Sequence, residues 1–224
     1  MSADFDVIVI GSGFGGSVSA LRLAEKGYRV AVLEQGRDLT SADLQRAGSS
    51  VRHLLWAPAL GLRGPLAQKV FANVGVVHGV GVGGGSLVYA AVLLEPKASF
   101  YQAPAWRDLH SDWQRELAPH YQRARQMLGA SVNPYVGLQD DWLQQTAAQL
   151  GRAESYGPVT QGIYFGAPDV AVDPFFAGKG PLRRGCSRCG NCISGCAQGA
   201  KNSLDKNRNR CRHTLFLPVQ IQSP

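Results

Sequence analysis

The first 34 residues combine two short apolar runs with a helical pattern between them. Residues 5–10 (FDVIVI) form an apolar run of the length of a buried parallel strand. From about Gly15 to Lys26 apolar side chains recur at helical spacing, and Gly27 follows as a stop signal. Residues 29–34 form a second apolar run. Strand, helix and strand in this order predict a βαβ unit, and therefore an α/β fold with a parallel sheet.

The next distinctive stretch is residues 70–94 (VFANVGVVHGVGVGGGSLVYAAVLL), which contains no Asp, Glu, Lys or Arg over 25 residues. That length suits a membrane span. Six of its residues are glycine, and each glycine costs a helix about 1 kcal/mol relative to alanine. We therefore predict a buried strand and a glycine-rich loop, and no transmembrane segment. Residues 38–69 are predicted to be loops with short helical pieces.

Helical patterns return in the middle of the chain. Apolar side chains at steps of three and four predict a helical face over residues 112–128, which Pro119 divides into two short helices or kinks. A further helix is predicted from Asp140 or Asp141 to Leu150. The Gly- and Pro-rich residues 151–181 are predicted to be loops with one strand at 162–165.

The net charge of +7 comes from one segment near the C-terminal end. Residues 183–213 hold eight of the 23 Lys and Arg residues and a single acid, Asp205, whereas the rest of the chain is neutral. A basic stripe with interleaved aromatic residues is not present, so we expect no nucleic-acid partner. The chain also starts without the basic and apolar pattern of an export signal, and a cytoplasmic location is expected.

A G-x-G-x-x-G motif lies between the first strand and the first helix. In this motif Gly11 permits a tight turn, Gly13 lets the backbone approach a pyrophosphate, and Gly16 permits close packing of helix on strand. The phosphates then lie at the helix N-terminus. Glu34 ends the second strand, where an acid accepts hydrogen bonds from an adenosine ribose. The motif predicts a dinucleotide site and leaves FAD and NAD open.

A second glycine element spans residues 79–88, with three consecutive glycines at 83–85. Such a run would let the backbone lie flat against a planar group, which favours a flavin over a nicotinamide cofactor. The alternative interpretation is a flexible loop, since glycine runs are common in loops.

Taken together, four segments resemble the glucose–methanol–choline (GMC) flavoprotein oxidoreductases, and in particular their cholesterol-oxidase-like branch. The segments are GSGFGG, Glu34, GVGGGSLVYAAVLLEP and LAPHYQRARQMLG, and the resemblance runs from about Phe5 to Asn207. It implies an FAD cofactor, a small-molecule alcohol substrate, and oxidation in which a histidine base takes the hydroxyl proton while hydride goes to the flavin.

The resemblance also implies the cofactor-binding residues. Those near the ADP half and the fingerprint turn would be Gly11, Ser12, Gly13, Phe14, Gly15, Gly16 and Glu34. Those near the isoalloxazine end would be Gly84, Gly85 and Tyr89. Sterol oxidases of this branch commonly carry Asn-Gly-Gly after the second glycine element, whereas this chain has Tyr89-Ala90-Ala91. That departure leaves sterol specificity open.

Four closely spaced cysteines follow, with the spacing C-x2-C-x2-C-x3-C of bacterial ferredoxins, although Ala197 replaces the usual proline. This spacing predicts a metal site, a [4Fe-4S] cluster first and zinc or another metal second. The alternative is structural thiols or a disulfide. The candidate metal ligands are Cys186, Cys189, Cys192 and Cys196.

The expected organisation has four segments. Residues 1–97 form the N-terminal part of the FAD-binding domain, 98–181 lead into the substrate region, 182–207 are the cysteine-rich segment, and 208–224 are an atypical tail. The tail departs abruptly from the family pattern, which suggests a frameshift or a truncated reading frame, with a genuine short variant as the alternative. On this interpretation the fold is incomplete, the catalytic histidine is missing, and this chain alone is inactive.

Overall fold

The computed structural model describes residues 4–178, 180–205 and 214–218. The helices of this part of the chain are α1 (Phe14–Glu25), α2 (Ser41–Ser49), α3 (Val51–Leu54), α4 (Ala98–Tyr101), α5 (Trp113–Leu128) and α6 (Leu138–Gln149). The strands are β1 (Val7–Ile10), β2 (Val30–Glu34), β3 (Leu55–Ala57), β4 (Leu62–Arg63), β5 (Leu66–Val70), β6 (Gly75–Gly79), β7 (Ser131–Val132), β8 (Thr160–Gln161) and β9 (Thr214–Pro218).

The βαβ unit that carries the first glycine motif forms as predicted. Strands β1 and β2 are parallel, with Val7 opposite Val30, and α1 connects them. Ala20 on α1 is buried against Val30 and Val32 of β2, where small and β-branched side chains allow the helix to lie close to the sheet. The predicted α/β class with a parallel sheet is confirmed.

Strand β9 adds a third parallel strand beside β2, so that the sheet order is β1-β2-β9. The sequence does not predict this strand, because Pro218 interrupts a short apolar run. In the structure Pro218 is the last residue of an edge strand, a position that tolerates proline. Residues 208–213 of the atypical tail lie outside the described residues.

Strand β1 is less buried than the apolar run predicts. Ile8 is 62% exposed and Ile10 is 86% exposed, while Val7 and Val9 are half-buried on the face that α1 covers. A continuous apolar run predicts a strand covered on both faces. Among the described residues, no element covers the face that carries Ile8 and Ile10.

The uncharged stretch 70–94 forms a hairpin and a turn rather than a buried strand. β6 pairs antiparallel with β5, in a second sheet of order β4-β3-β5-β6, and Val77 of β6 is 57% exposed. The chain then enters a 3-10 turn at Gly84–Leu87. Within the described ranges no helix is long and apolar enough to cross a membrane.

The helices after residue 112 differ from the prediction in one respect. α5 is a single helix of 16 residues with Pro119 inside it. Proline removes one backbone donor from a helix, and the half-buried face of Trp113, Leu117 and Tyr121 continues past it. α6 forms where predicted. No strand forms at 162–165, where one was predicted: β8 is Thr160–Gln161, and Ile163 makes only an isolated bridge with Lys201.

Candidate FAD-binding site

The three glycines of the fingerprint turn differ in their surroundings. Gly11 has a φ of +88°, a left-handed conformation that favours glycine. A Cβ at Gly16 would lie 1.9 Å from the carbonyl oxygen of Gly11, so only glycine lets α1 approach the turn this closely. A Cβ at Gly13 would meet no protein atom within 4 Å. The backbone of Gly13 therefore faces open space, which a pyrophosphate can approach.

The N-terminus of α1 is available to an anion. Gly13 is its N-cap, no side chain caps it, and its first turn contains no acidic residue. The first intrahelical bond of the turn runs from the Ser17 N–H to the Gly13 carbonyl oxygen at 2.9 Å. The N–H groups before it need partners, and with the helix dipole they favour a phosphate.

Glu34 at the end of β2 is only 6% exposed, and its carboxylate accepts three hydrogen bonds from this chain. The Ser12 backbone N–H and hydroxyl donate to Oε2 at 2.9 and 2.7 Å, and the Gly36 N–H donates to Oε1 at 2.9 Å. A carboxylate has about four acceptor sites. The geometry leaves about one for a ribose hydroxyl, so Glu34 also holds the fingerprint turn in place.

Ser12 connects the two glycine elements. It is fully buried, and its hydroxyl oxygen accepts a hydrogen bond from the Gly83 N–H at 3.1 Å while donating to Glu34. The turn after β2 touches the second element as well, because a Cβ at Gly36 would lie 2.3 Å from the backbone nitrogen of Gly81. The Ser12 hydroxyl is therefore used within the protein. Gly36 and Gly81, which the sequence analysis did not single out, are contact points.

The predicted isoalloxazine-end residues lie against the fingerprint residues. A Cβ at Gly84 would be 2.7 Å from the Cα of Gly13, and a Cβ at Gly85 would be 3.8 Å from the Phe14 ring. The rings of Phe14 and Tyr89 meet edge to face, with centroids 5.8 Å apart. The structure thus brings together the two sequence elements that were assigned to opposite ends of one cofactor.

Tyr89 is a half-buried phenol in this contact. Burial raises the pKa of its hydroxyl to about 12, so the hydroxyl stays protonated at neutral pH. It donates a hydrogen bond to the carbonyl oxygen of Asn202 at 2.8 Å. Its ring faces the ammonium group of Lys201, whose nitrogen lies 4.9 Å from the ring centroid. Tyr89 therefore offers a neutral, fixed aromatic surface.

Residues 201–205, which the sequence analysis assigned only to the cysteine-rich segment 182–207, contact the second glycine element. The Leu204 N–H donates to the Ser86 hydroxyl at 2.9 Å, and a Cβ at Gly83 would lie 3.1 Å from the backbone nitrogen of Asp205. These contacts join residues more than 100 positions apart in sequence. Local periodicity carries no signal for them, and the family resemblance was the only pointer to this segment.

Arg183, like Lys201, is a buried cation close to Tyr89. It is 1% exposed, and burial lowers the pKa of its guanidinium group. Its Nη2 donates to the side-chain oxygen of Asn202, and the guanidinium carbon lies 5.7 Å from the Phe175 ring centroid. Among the described residues, its Nε and Nη1 atoms have no hydrogen-bond partner. Arg183 and Tyr89 both contact Asn202, so they belong to one packing unit.

The four cysteines line one small cavity, together with Lys201, and all four are free thiols. Three of them pack around Ala91, Ile163 and Ala200, whereas Cys189 is exposed. The cavity measures about 20 Å³, which is room for one water molecule. The surrounding side chains would have to move to admit the iron and sulfide atoms of a [4Fe-4S] cluster.

The geometry gives the metal prediction no support. In the part of the chain that the structure describes, no three His, Cys, Asp or Glu side chains are arranged to hold a metal ion. Burial raises the pKa of the Cys192 thiol. The predicted ligands Cys186, Cys189, Cys192 and Cys196 are therefore neighbours without forming a coordination sphere.

Comparison with known proteins places the chain among flavin enzymes. It is 45% identical over 214 residues to a cholesterol oxidase of Mycobacterium tuberculosis (strain CDC 1551 / Oshkosh), which covers 92% of this chain and 37% of that protein. A cholesterol oxidase of Acinetobacter baumannii is 40% identical over 210 residues, covering 91% and 37%. A long-chain-alcohol oxidase of Arabidopsis thaliana is 26% identical over 220 residues, covering 90% and 24%.

The chain thus spans about 37% of the length of the cholesterol oxidases it matches. The family model for FAD dependent oxidoreductases matches residues 6–166, which include the fingerprint turn, Glu34 and the second glycine element. The match covers the contacts described above between Gly13, Gly84 and Tyr89. On this evidence the chain belongs to the FAD dependent oxidoreductase family.

Proposed function

We propose that this chain is the FAD-binding portion of a GMC-type oxidoreductase that acts on the CH–OH group of a hydrophobic alcohol, a sterol or another. The observation that carries the proposal is the contact between the two glycine elements, in which Gly84 lies on Gly13 and Tyr89 on Phe14. The contact places the open side of the fingerprint turn next to the glycine run, so that one extended FAD molecule could touch both segments. In this proposal residues 1–97 hold the cofactor and residues 98–181 begin the substrate region.

The residues of this chain have separable tasks in that reaction. The N-terminus of α1 would hold the pyrophosphate, and the open face of Gly13 lets the backbone approach it. The remaining acceptor site of Glu34 would take a ribose hydroxyl. Phe14 and Tyr89 would orient the ring system and exclude water from it. The chemistry that FAD supplies when bound is acceptance of a hydride equivalent from an alcohol carbon.

The names of the relatives support the substrate class. Cholesterol and a long-chain alcohol are both alcohols with large hydrocarbon parts, and proteins named for oxidising them match about nine-tenths of this chain. The Tyr89-Ala90-Ala91 sequence differs from the Asn-Gly-Gly of sterol oxidases, so we propose a hydrophobic alcohol without limiting it to sterols.

We assign no catalytic base within this chain and propose that turnover requires residues that the relatives carry beyond the matched 37%. The histidines in the described ranges lie in α3, in β6, before α5 and within α5, and none carries a motif that assigns it as a base. They are His53, His78, His110 and His120.

The direct test is reconstitution of the purified chain with FAD, followed by an assay with a panel of alcohols that includes sterols and an artificial electron acceptor. We expect stoichiometric flavin absorbance and no turnover by this chain alone. Folded protein that refuses FAD and accepts NAD would contradict the flavin proposal. Robust alcohol oxidation would contradict the proposal that the base lies elsewhere, and would direct the search to the four histidines.

A flavin and iron–sulfur electron-transfer module is the other function that the cysteine spacing suggests. It remains a prediction from spacing alone, because a cavity of only about 20 Å³ between the cysteines favours structural thiols. We propose that Cys186, Cys192 and Cys196 pack the loop against Ala91 and Ile163.

We expect anaerobically purified protein to contain neither iron nor acid-labile sulfide in stoichiometric amounts, because the cavity that the thiols line has room for only one water molecule. The measurement is metal and sulfide analysis of the wild type and of Cys189→Ser, which removes the exposed thiol and leaves the packed ones. Iron and sulfide in the wild type that are lost in Cys189→Ser would instead establish the cluster.

A further inference from the structure

We propose that Lys201 is a positioning residue for the flavin, which fixes the end of the second glycine element, and so the affinity for FAD, and whose positive charge raises the reduction potential of bound FAD. The inference rests on the proposed FAD site. Lys201 is 1% exposed. Its ammonium nitrogen donates hydrogen bonds to the carbonyl oxygens of Leu87, Tyr89 and Cys192 at 2.7, 3.0 and 2.7 Å.

The three bonds join two parts of the chain that are far apart in sequence. An ammonium group has three donors, and here two of them bind the end of the glycine element while one binds the cysteine loop. Hydrogen bonds from a charged donor are about twice as strong as those between neutral groups. Lys201 therefore holds the backbone of Leu87 and Tyr89 at a fixed distance from the cysteine loop.

Neighbouring residues strengthen the same attachment. The Tyr89 hydroxyl donates to the carbonyl oxygen of Asn202 at 2.8 Å, and the Leu204 N–H donates to the Ser86 hydroxyl at 2.9 Å. Residues 201–205 thus bind the C-terminal half of the glycine element and Tyr89, which follows it. The element cannot shift away from the fingerprint turn without breaking several of these bonds.

The attachment reaches the cofactor through Tyr89. The Tyr89 ring meets Phe14 of the fingerprint turn, and the Lys201 ammonium lies 4.9 Å from the centre of that ring. Loss of the ammonium would let the Tyr89 backbone move and would remove a positive charge from this wall of the site. A nearby positive charge favours a flavin that gains negative charge on reduction, so its loss makes the reduction potential more negative.

The experiment compares Lys201→Met, which keeps the length and removes the charge and donors, with Lys201→Arg, which keeps the charge. Three quantities are measured: the FAD dissociation constant of the apoprotein, the potential of the bound flavin, and hydrogen exchange at residues 84–89 without FAD. For Lys201→Met we expect a dissociation constant raised about tenfold or more, a more negative potential and faster exchange. Lys201→Arg is expected to keep the reduction potential of the wild type, because it keeps the charge. It is expected to lose the slow hydrogen exchange of the wild type, because a planar guanidinium group does not fit three converging carbonyls.

Two further variants separate positioning from general stability. Asp140→Ala removes the carboxylate that accepts the Gly137 N–H at the start of exposed helix α6. It is expected to lower the melting temperature without changing FAD affinity or potential. Ser86→Ala keeps Lys201 but removes the acceptor of the Leu204 N–H and the donor to the Gly83 carbonyl oxygen, and we expect it to weaken FAD binding several-fold.

Each result decides the proposal. If the wild type does not bind FAD, the proposed function fails and this inference falls with it. If the wild type binds FAD and Lys201→Met has the same affinity and potential, Lys201 is structural only and the inference is wrong. If Lys201→Met does not fold, Lys201→Arg decides: faster exchange at residues 84–89 than in the wild type supports the proposal, and wild-type exchange overturns it.

Discussion

Gly13→Val is expected to abolish FAD binding while leaving the apoprotein folded. Gly13 has a φ of −66°, which valine adopts without strain, and a Cβ there meets no protein atom within 4 Å. Valine is a poorer N-cap than glycine, and the cost to the free energy of unfolding is about 1 kcal/mol or less. The new side chain instead occupies the space through which the pyrophosphate approaches the N-terminus of α1. We expect the FAD dissociation constant to rise at least about a hundredfold, a loss of roughly 3 kcal/mol in binding free energy.

The measurement is titration of apoprotein with FAD, alongside circular dichroism and chemical denaturation without FAD. Gly157→Val is the matched control, because a Cβ at Gly157 also meets no protein atom within 4 Å and Gly157 lies outside the proposed site. Gly16→Ala is the opposite control, since its Cβ would lie 1.9 Å from the Gly11 carbonyl oxygen and should disturb folding itself. If the Gly13→Val protein is folded and binds FAD normally, the fingerprint turn is not part of the FAD site.

The βαβ unit was predictable because its determinants are local. Apolar runs, helical spacing and the positions of Gly11, Gly16 and Gly27 lie within one short segment, and each fixes a strand, a turn or the end of a helix. The structure reproduces this unit within a few residues. The exposure of Ile8 and Ile10 was not predictable, since the pattern reports which residues prefer burial and not which partner buries them.

The site itself depends on contacts that no local pattern encodes. The Ser12 hydroxyl binds both Glu34 and the Gly83 N–H, and the Lys201 ammonium reaches Leu87 across 114 positions. A glycine-rich stretch is compatible with a strand, a hairpin or a turn. Which of these three conformations it adopts depends on its contacts with residues distant in sequence. The strand and the glycine loop predicted within 70–94 both form, and only the burial of the strand was wrong, since β6 lies at the edge of its sheet and Val77 is 57% exposed. The cysteine spacing likewise predicted neighbours, but did not predict the small volume between them.

Glu34→Gln is expected to destabilise the protein and to weaken FAD binding, because no orientation of an amide satisfies the donors around this side chain. If the amide nitrogen replaces Oε2, it faces the N–H and hydroxyl of Ser12, and if it replaces Oε1, it faces the Gly36 N–H. The Ser12 hydroxyl could turn its proton to the Gly81 carbonyl oxygen, 3.4 Å away, and accept from the amide, but the Ser12 backbone N–H would still face a donor. A buried donor without an acceptor costs about 1–3 kcal/mol, and more for a group that had bound a charge.

We therefore expect Glu34→Gln to lower the free energy of unfolding by about 3 kcal/mol, measured by denaturation of the apoprotein so that FAD does not contribute. Glu25→Gln is the matched control, because the Glu25 carboxylate binds Arg22 at 2.6 Å on the exposed surface of α1, and such surface pairs contribute about 0–1 kcal/mol. FAD affinity should fall in Glu34→Gln and not in Glu25→Gln, since the Ser12–Glu34 hydrogen bonds fix both the fingerprint turn and, through the Ser12 hydroxyl, the second glycine element. Equal stability in the two variants would mean that Glu34 contributes no more than a surface carboxylate, and the connection between the two glycine elements would then have to rest on the Gly84–Gly13 contact alone.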